Sequence, residues 1–183
     1  MPRTTMAALI AALRRMIGDA DESNQVWTDD ELQQALDAHR EWVRYESLRP
    51  EATRTPGGRV EYCDYFAALS QWEGDAAFCD AAYNPLTPDE SDWQNGHWRF
   101  NSPGKQPPIL ITGKSYDLSG AAADVLEAWA AREKLKFDFA TDGQSFRESQ
   151  KTEALVTLAR SYRQQMRAGS GRLVNTEFYA DCQ

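Results

Sequence analysis

The sequence predicts an α+β fold, mainly a bundle of about four helices with an inserted antiparallel β module and an extended C-terminal tail. The apolar residues follow a helical period at both ends of the chain but a β-like pattern between Arg59 and Ser115. A second observation is the segment from Pro107 to Lys151, where a β-prone run precedes an alanine-rich helix, a Gly-marked corner and another helix. We therefore expect a bundle of residues 1–49 and 116–168, a β module of residues 50–115 and a tail of residues 169–183.

Two helices are expected before the β module. An apolar stripe at helical spacing near the N-terminus comprises Met6, Leu9, Ile10, Leu13 and Ile17. Arg14 and Arg15 end the apolar run too early for a signal sequence, so we interpret it as an amphipathic helix. Thr28 and Glu31 form a capping box, which predicts a helix from about Asp29 to Tyr45. The inner face of this second helix would include Leu32, either Leu36 or Ala35, His39 and either Trp42 or Val43.

Short β-prone pieces separated by turn residues indicate an antiparallel meander between residues 59 and 115. Within it, the sequence TPDESD resembles a single helical turn started by proline. Asn95 and Gly96 then mark a tight corner.

Two helices and a tail are expected after the β module. The first helix has one apolar stripe, which comprises Leu118, Ala122, Val125, Leu126, Trp129 and Ala130. The last helix should run from Gly143 to about Arg167, with an inner face of Leu155, Leu158, Ala159, Tyr162 and Met166. The tail is too short to fold alone, so it is either a frayed terminus or an arm that docks through Leu173, Val174, Phe178 and Tyr179.

Charge is distributed unevenly along this chain of net charge -8. Residues 19–46 carry nine acidic side chains against two arginines, whereas the last helix is slightly basic. This polarity suits head-to-tail contact between copies, and we predict an interface between Asp29, Asp30 and Asp37 of one copy and Arg160, Arg163 and Arg167 of the next. An acidic protein gains little counterion-release energy from DNA, so duplex DNA is expected only as non-specific passing cargo.

Enzyme motifs are missing from the sequence. The two histidines, His39 and His97, have no accompanying nucleophile and acid, and no phosphate-binding glycine motif occurs. The three cysteines, Cys63, Cys79 and Cys182, form no CxxC pair and suggest neither a disulfide framework nor a zinc site. No apolar run is long enough to cross a bilayer. We expect no enzymatic activity, no cofactor and no membrane partner.

The best candidate metal site is the acidic segment that opens at Asp19. Oxygen-bearing side chains alternate there as in a calcium loop, but Asn24 occupies the position that needs glycine. Asp30, rather than a glutamate, occupies the twelfth position. A polar loop between helices explains these acids better. The tryptophan-rich β module could stack single-stranded bases, but it is acidic, so we favour core and interface packing for its aromatic residues.

Three motifs together resemble the head-tail adaptor (connector) proteins of tailed bacteriophages. They are IGD......VW.DDEL...LD near the N-terminus, then YD...AAAD.LE and DG.SF..SQK in the last third, within a similarity covering residues 8–167. The resemblance implies a mostly helical subunit that forms a ring, commonly of about twelve copies, beneath the portal. The ring would extend the DNA channel and present a platform to the next neck or tail protein. It also implies a virion location after synthesis in the host cytoplasm, and no catalytic residues.

One rival from another class stays open at the sequence level. The tryptophan-rich insertion and the Asp19 loop are compatible with a soluble ligand-binding or calcium-binding α+β module. The adaptor interpretation predicts no response to calcium in calorimetry, whereas the rival predicts binding.

Overall fold

The computed structural model describes residues 2–101, 103–137 and 145–167, with the side chains of residues 136–137 and 145–149 left out. It has an α+β fold, as predicted, with four helices and two antiparallel sheets. The helices are α1 (Ala7–Ile17), α2 (Asp29–Ala38), α3 (Leu118–Phe137) and α4 (Ser145–Gln165), and a short 3-10 helix (Thr4–Met6) precedes α1. The strands are β1 (Arg40–Ser47), β2 (Arg49–Arg54), β3 (Val60–Phe66), β4 (Ala77–Cys79), β5 (Pro85–Leu86), β6 (Glu90–Asp92), β7 (His97–Arg99) and β8 (Leu110–Tyr116).

The strands form two four-stranded antiparallel sheets. One has the order β1-β8-β4-β5 and the other the order β2-β3-β7-β6. Leu48 lies between β1 and β2, is buried and donates its N–H to Ile109 O at 2.8 Å. The chain therefore passes directly from the first sheet to the second at this residue. Antiparallel pairing is confirmed, but the simple meander is wrong, because β8 lies between β1 and β4 and β7 lies between β3 and β6.

A first hydrophobic core lies among the helices. It includes the whole apolar stripe predicted near the N-terminus, Leu32 and Leu36 of α2, and Leu118, Ala121, Ala122, Val125 and Leu126 of α3. Ala121, Ala122 and Ala123 of α3 are fully buried, and their small side chains permit close approach of neighbouring helices. The predicted inner faces of α1 and α3 are thus confirmed.

A second core lies between the sheets and contains most of the aromatic residues that are buried in the described structure. Its buried members are Val43, Leu48, Tyr65, Trp72, Phe78, Trp98, Phe100, Ile109 and Ile111. Trp72 and Trp98 meet edge to face with ring centroids 5.8 Å apart. The prediction of core packing for Tyr65, Trp72, Trp98 and Phe100 is confirmed, and these rings are not available to stack bases.

The predicted helix over residues 29–45 is wrong beyond Ala38. The capping box at its start is present, but His39 is its C-cap and Arg40 begins β1. Residues 42–45 are aromatic, β-branched or long, and β8 supplies backbone partners, with Trp42 opposite Lys114. Tertiary pairing therefore overrides an apolar spacing that also fits a helix. Strand structure extends from Arg40 to Tyr116, beyond both ends of the range 50–115 expected for the β module.

The helical turn predicted at TPDESD is also wrong. Glu90–Asp92 form β6 and pair with His97–Arg99, so this segment is one arm of a hairpin. The corner predicted at Asn95 and Gly96 is confirmed. Gly96 has a φ of 68°, and a Cβ atom there would collide with the carbonyl oxygen of Leu69. Glycine is therefore required at this turn.

Candidate subunit interface

α4 is the helix with the most open surface in the described structure. Its main contacts are with α3, and Ala159 is its only fully buried residue among those whose side chains are described. Leu155 and Tyr162 pack partly against the helical core, and Tyr162 OH donates to Met16 O at 3.1 Å. The predicted inward positions Leu158 and Met166 are wrong, since each is 39% exposed. α4 therefore rests on the bundle through one narrow stripe.

Among residues 150–165 of α4, whose side chains the structure describes, the side that points away from the bundle is uncharged. We call this surface the outer face of α4, and it consists of Gln150, Ala154, Thr157, Leu158, Ser161 and Gln165. These residues fall within about 100° of arc at 100° per residue. All are exposed except Ser161, which is half-buried and donates to Leu158 O at 2.7 Å. A charge-free helical face is unusual where 26% of residues are charged, and depletion of charge is typical of interface centres.

The three arginines predicted for the interface occupy different environments. Arg160 is exposed and makes no ion pair among the described residues. Arg163 binds Glu127 and Asp124 of α3, with Nη2 2.9 Å from Glu127 Oε2. The hydrogen bond to Glu127 is the largest cause of its raised pKa. Arg167 points into the molecule instead. Of the three, Arg160 is the one whose charge is available to a neighbouring copy.

Arg167 ties the end of α4 to the first sheet. Its Nη1 donates to Ser115 Oγ at 2.8 Å and its Nη2 donates to Ser70 O at 2.7 Å. Its backbone N–H donates to Asp117 Oδ2 at 2.8 Å. The guanidinium group thus serves the fold of its own chain.

The acidic residues predicted for the interface also differ in their exposure and in their partners. Asp29 accepts from Arg14 Nη2 at 2.7 Å, yet its side chain is 53% exposed. Asp37 accepts from Arg3 Nη2 at 2.7 Å and is 28% exposed. Asp30 is exposed on the first turn of α2. All three therefore lie at the surface of α2, and the side chain of Asp37 is less exposed than that of Asp29. The docking residues Leu173, Val174, Phe178 and Tyr179 lie outside the described residues.

A buried carboxylate that the sequence did not reveal joins the two halves of the fold. Glu73 is fully buried, and its Oε1 accepts from Thr5 Oγ1 at 2.6 Å and Arg3 Nε at 3.0 Å. Its Oε2 accepts from Tyr116 OH at 2.7 Å and Lys114 Nζ at 3.2 Å. These donors come from the N-terminal segment and from β8. Glu73 therefore fastens the helices to the first sheet.

Protonation of Glu73 is strongly disfavoured. Burial alone would raise its pKa, but hydrogen bonds from Thr5, Tyr116 and Lys114 and the charge of Arg3 together lower the pKa to about 2. Burial and the hydrogen bond to Glu73 also raise the pKa of the Tyr116 hydroxyl above its usual range. At neutral pH the Glu73 carboxylate is charged and accepts hydrogen bonds from four side chains, which suits a structural role rather than that of a general acid or base.

The loop considered for calcium is organised by a buried ion pair. Arg14 and Asp19 are both buried, and Arg14 Nη1 donates to Asp19 Oδ2 at 2.7 Å. Asp19 Oδ1 also accepts from Val26 N at 2.7 Å. Asp21, the second acid of the loop, accepts from Ser23 and Asn24, and the Ser23 hydroxyl is the largest cause of its lowered pKa. The oxygens of Asp19 are committed to the protein itself.

Other candidate site residues are also used within the fold. Among the described residues, no group of three or more histidine, cysteine or acidic side chains is placed to hold a metal ion. His39 Nε2 lies 2.7 Å from Asp124 Oδ2, and His97 Nε2 lies 3.0 Å from Asp64 Oδ1. Cys63 and Cys79 are free thiols. The two histidines thus link elements of the fold.

Comparisons of this chain with protein-family models, curated proteins and solved structures found no match. None of the helices in the described ranges is long and apolar enough to cross a membrane. Any functional proposal therefore depends on the geometry described above and on the sequence motifs.

Proposed function

We propose that this protein is a head-tail adaptor of a tailed bacteriophage. About twelve copies form a ring beneath the portal, extend the DNA channel and offer a platform to the next neck or tail protein. The protein acts in the virion as a structural component and has no catalytic role. The observation that carries this proposal is the outer face of α4, an exposed, uncharged surface on a helix that the fold holds from one side only.

The residues of the adaptor-like motif support the proposal because each has a defined role at the centre of the fold. In YD...AAAD.LE, Tyr116 donates to Glu73, and Asp117 caps α3 by accepting from Ser119 N at 3.1 Å. The three alanines are fully buried, and Asp124 and Glu127 hold Arg163. The motif therefore describes a scaffold rather than an active site. That is the expectation for an assembling subunit.

The arrangement of α2 and α4 favours a ring over a closed dimer. Both helices have their main contacts with α3, so their outward surfaces are different patches of one subunit. The face on α4 is uncharged and is flanked by Lys151, Glu153 and Arg160, whereas the face on α2 is acidic, so the two differ and neither is complementary to itself. Contacts between different patches are heterologous, and they generate rings when the rotation closes. In this arrangement Arg160 meets Asp30 or Asp29 of the next copy, while apolar burial around Leu158 supplies most of the affinity.

Two further partners belong to the proposal. The portal lies above the ring, and the C-terminal arm with Leu173, Val174, Phe178 and Tyr179 is the segment that reaches it or a neighbouring copy. A neck or tail-completion protein docks below. The acidic surface repels duplex DNA and keeps it mobile as it passes.

The test is ring assembly of matched variants. Leu158→Glu and Arg160→Glu each place an acid on or beside the outer face of α4, and both positions are exposed. We expect each to lower the association constant at least about tenfold, with an unchanged melting temperature. Arg54→Glu, at an exposed position of β2, is the control, and it changes the net charge as much as Arg160→Glu does. Sedimentation velocity and negative-stain microscopy report the rings.

Two results separate failure of the interface from failure of the function. Normal rings from Leu158→Glu and Arg160→Glu would show that another surface joins the copies. Imaging of the portal vertex in particles of the source phage tests the function itself. A vertex that lacks this protein between portal and tail would overturn the adaptor proposal.

A further inference from the structure

A polar cleft of about 560 Å³ lies where the helices meet the sheets. Arg15 of α1, Gln71 of the loop before β4, Gln94 of the β6–β7 turn and Ser119 of α3 line it. Arg167, the last residue that the structure describes, lines the same cleft. The volume is within the range of roughly 300–1,000 Å³ that is usual for ligand-binding clefts.

Gln71 is a polar group in this cleft that lacks a partner. Its backbone is held on both sides, because its N–H donates to Gln94 O at 2.9 Å and its carbonyl oxygen accepts from Tyr116 N at 2.9 Å. Its φ of 62° lies in the left-handed region, which is costly for a residue with a side chain. Its Oε1 is buried without a hydrogen-bond partner among the described residues. Such groups are rare in native proteins, and because the Gln71 side chain as a whole is only half-buried, a rotation of its amide presents this oxygen to a donor that enters the cleft.

Two arginines and one carboxylate, that of Asp117, line the cleft, and neither guanidinium group is paired with a carboxylate among the described residues. Arg15 is exposed and forms no ion pair with any of them. The guanidinium of Arg167 donates only to the neutral oxygens of Ser115 and Ser70. Two arginines without carboxylate partners at one cleft are unusual in a chain of net charge -8. An occupant with backbone N–H groups could donate to Gln71 Oε1, and its acidic side chains could pair with the guanidinium groups of Arg15 and Arg167.

We infer that the cleft binds residues 168–183 of the same chain. The segment begins at the rim, since the backbone N–H of Arg167 is fixed to Asp117 there. It carries apolar and aromatic residues in Leu173 and Phe178, and its two acidic residues, Glu177 and Asp181, outnumber its one basic residue, Arg172. Fully extended, it spans about 50 Å, which is enough to turn back into the cleft. Connection to Arg167 gives the segment a high effective concentration at its own cleft.

This inference does not depend on ring formation. It concerns the free subunit, in which the cleft holds the arm until a portal or a neighbouring copy competes for it. The cleft is therefore an interaction surface for an extended, acidic and aromatic peptide.

Hydrogen–deuterium exchange on the full chain tests the inference. We expect amides of residues 172–180 to exchange at least about tenfold more slowly than in an unstructured peptide. Gln94→Trp should abolish this protection, since it fills the cleft from an exposed position. Gln34→Trp, at an exposed position of α2 away from the cleft, should preserve it.

A second pair of variants tests the occupant. Phe178→Ala with Tyr179→Ala should remove the protection of the arm and expose the peptides that contain Gln71 and Ser119. Asn175→Ala with Thr176→Ala is the matched control in the same segment. Unprotected wild-type arm amides, or protection that survives Gln94→Trp, would overturn the inference. Protection that rises with protein concentration would assign the cleft to the arm of a second copy and overturn binding within one chain.

Discussion

Glu73 and Glu127 are both carboxylates that bind an arginine, but they lie in opposite environments. Glu73 is fully buried and accepts hydrogen bonds from four side chains. Glu127 is 49% exposed and binds Arg163, which is itself 37% exposed. The first site joins helices to a sheet inside the molecule, whereas the second joins α3 to α4 at its surface.

The difference shows which charged side chains can exchange their partners without a large loss of folding stability. A buried carboxylate without its donors would be an isolated charge in an apolar setting, so the Glu73 cluster must stay intact. Surface pairs exchange protein partners for water at little cost. Charges near α4 can therefore be shared with a neighbouring copy, and charges near Glu73 cannot. An assembling subunit needs both kinds of site, one to keep it rigid and one to let it associate.

The largest expected effect comes from Glu73→Ala. Removal of the carboxylate leaves the buried Tyr116 hydroxyl without its acceptor and takes one of two carboxylate partners from Arg3 and from Lys114, so the free energy of unfolding should fall by about 3–4 kcal/mol. Glu127→Ala is the control, with an expected loss below about 1 kcal/mol. Urea unfolding followed by tryptophan fluorescence measures both. Equal losses in the two variants would mean that burial does not distinguish the sites.

The next effect is a loss of stability in acid. The pKa of Glu73 is lowered from 4.5 to about 2 in the folded state, so its contribution is fully present above about pH 4.5. Below pH 4.5 the unfolded state binds a proton that folded Glu73 does not, so this contribution falls progressively as the pH drops towards 2. With 1.36 kcal/mol per pKa unit, the loss attributable to Glu73 is about 3 kcal/mol. Urea unfolding between pH 5 and 2 should therefore show a steeper decline in wild type than in Glu73→Gln. Parallel curves would contradict the assignment.

A smaller effect is expected at the contact between α3 and the end of α2. A Cβ atom on Gly120 would lie 2.5 Å from His39 Nδ1, so Gly120→Ala pushes away the ring that binds Asp124. We expect a loss of about 1–3 kcal/mol, as for other overpacked sites. Gly57→Ala is the control, because a Cβ there meets nothing closer than 4.0 Å. Thermal unfolding of the two variants compares them, and an unchanged melting temperature for Gly120→Ala would show that His39 can move freely.

Regular patterns made the fold class and most of the elements predictable. The N-terminal stripe, the capping box at Thr28 and the alanine-rich α3 depend on short-range spacing, and each lies where the sequence placed it. The segment from Arg40 to Ser47 was not predictable in this way, because its strand state depends on β8, which follows about 60 residues later. The order of strands within the sheets is non-local for the same reason.

The candidate site was predictable only in part. Charge bias along the sequence drew attention to α2 and α4, but it could not show that Arg163 and Arg167 bind within their own chain. Glu73 gave no signal at all, since an isolated acid in a turn-rich stretch resembles any surface residue. Its donors lie at Arg3, Thr5, Lys114 and Tyr116, and only the folded chain brings them together.

The smallest expected effect is that of Arg163→Ala. It tests whether a charge near α4 stabilises its own chain or contributes to the contact with a neighbouring copy. Both of its carboxylate partners are more than one third exposed, so the free energy of unfolding should fall by less than about 1 kcal/mol. If copies associate through the outer face of α4, ring assembly should also change less than with Arg160→Glu, because Arg163 is already paired with α3. Urea unfolding and sedimentation velocity on the same samples measure the two quantities. A loss of stability as large as that of Glu73→Ala would mean that the groove between α3 and α4 is as essential as the buried junction, and α4 could then not be free to serve a neighbour.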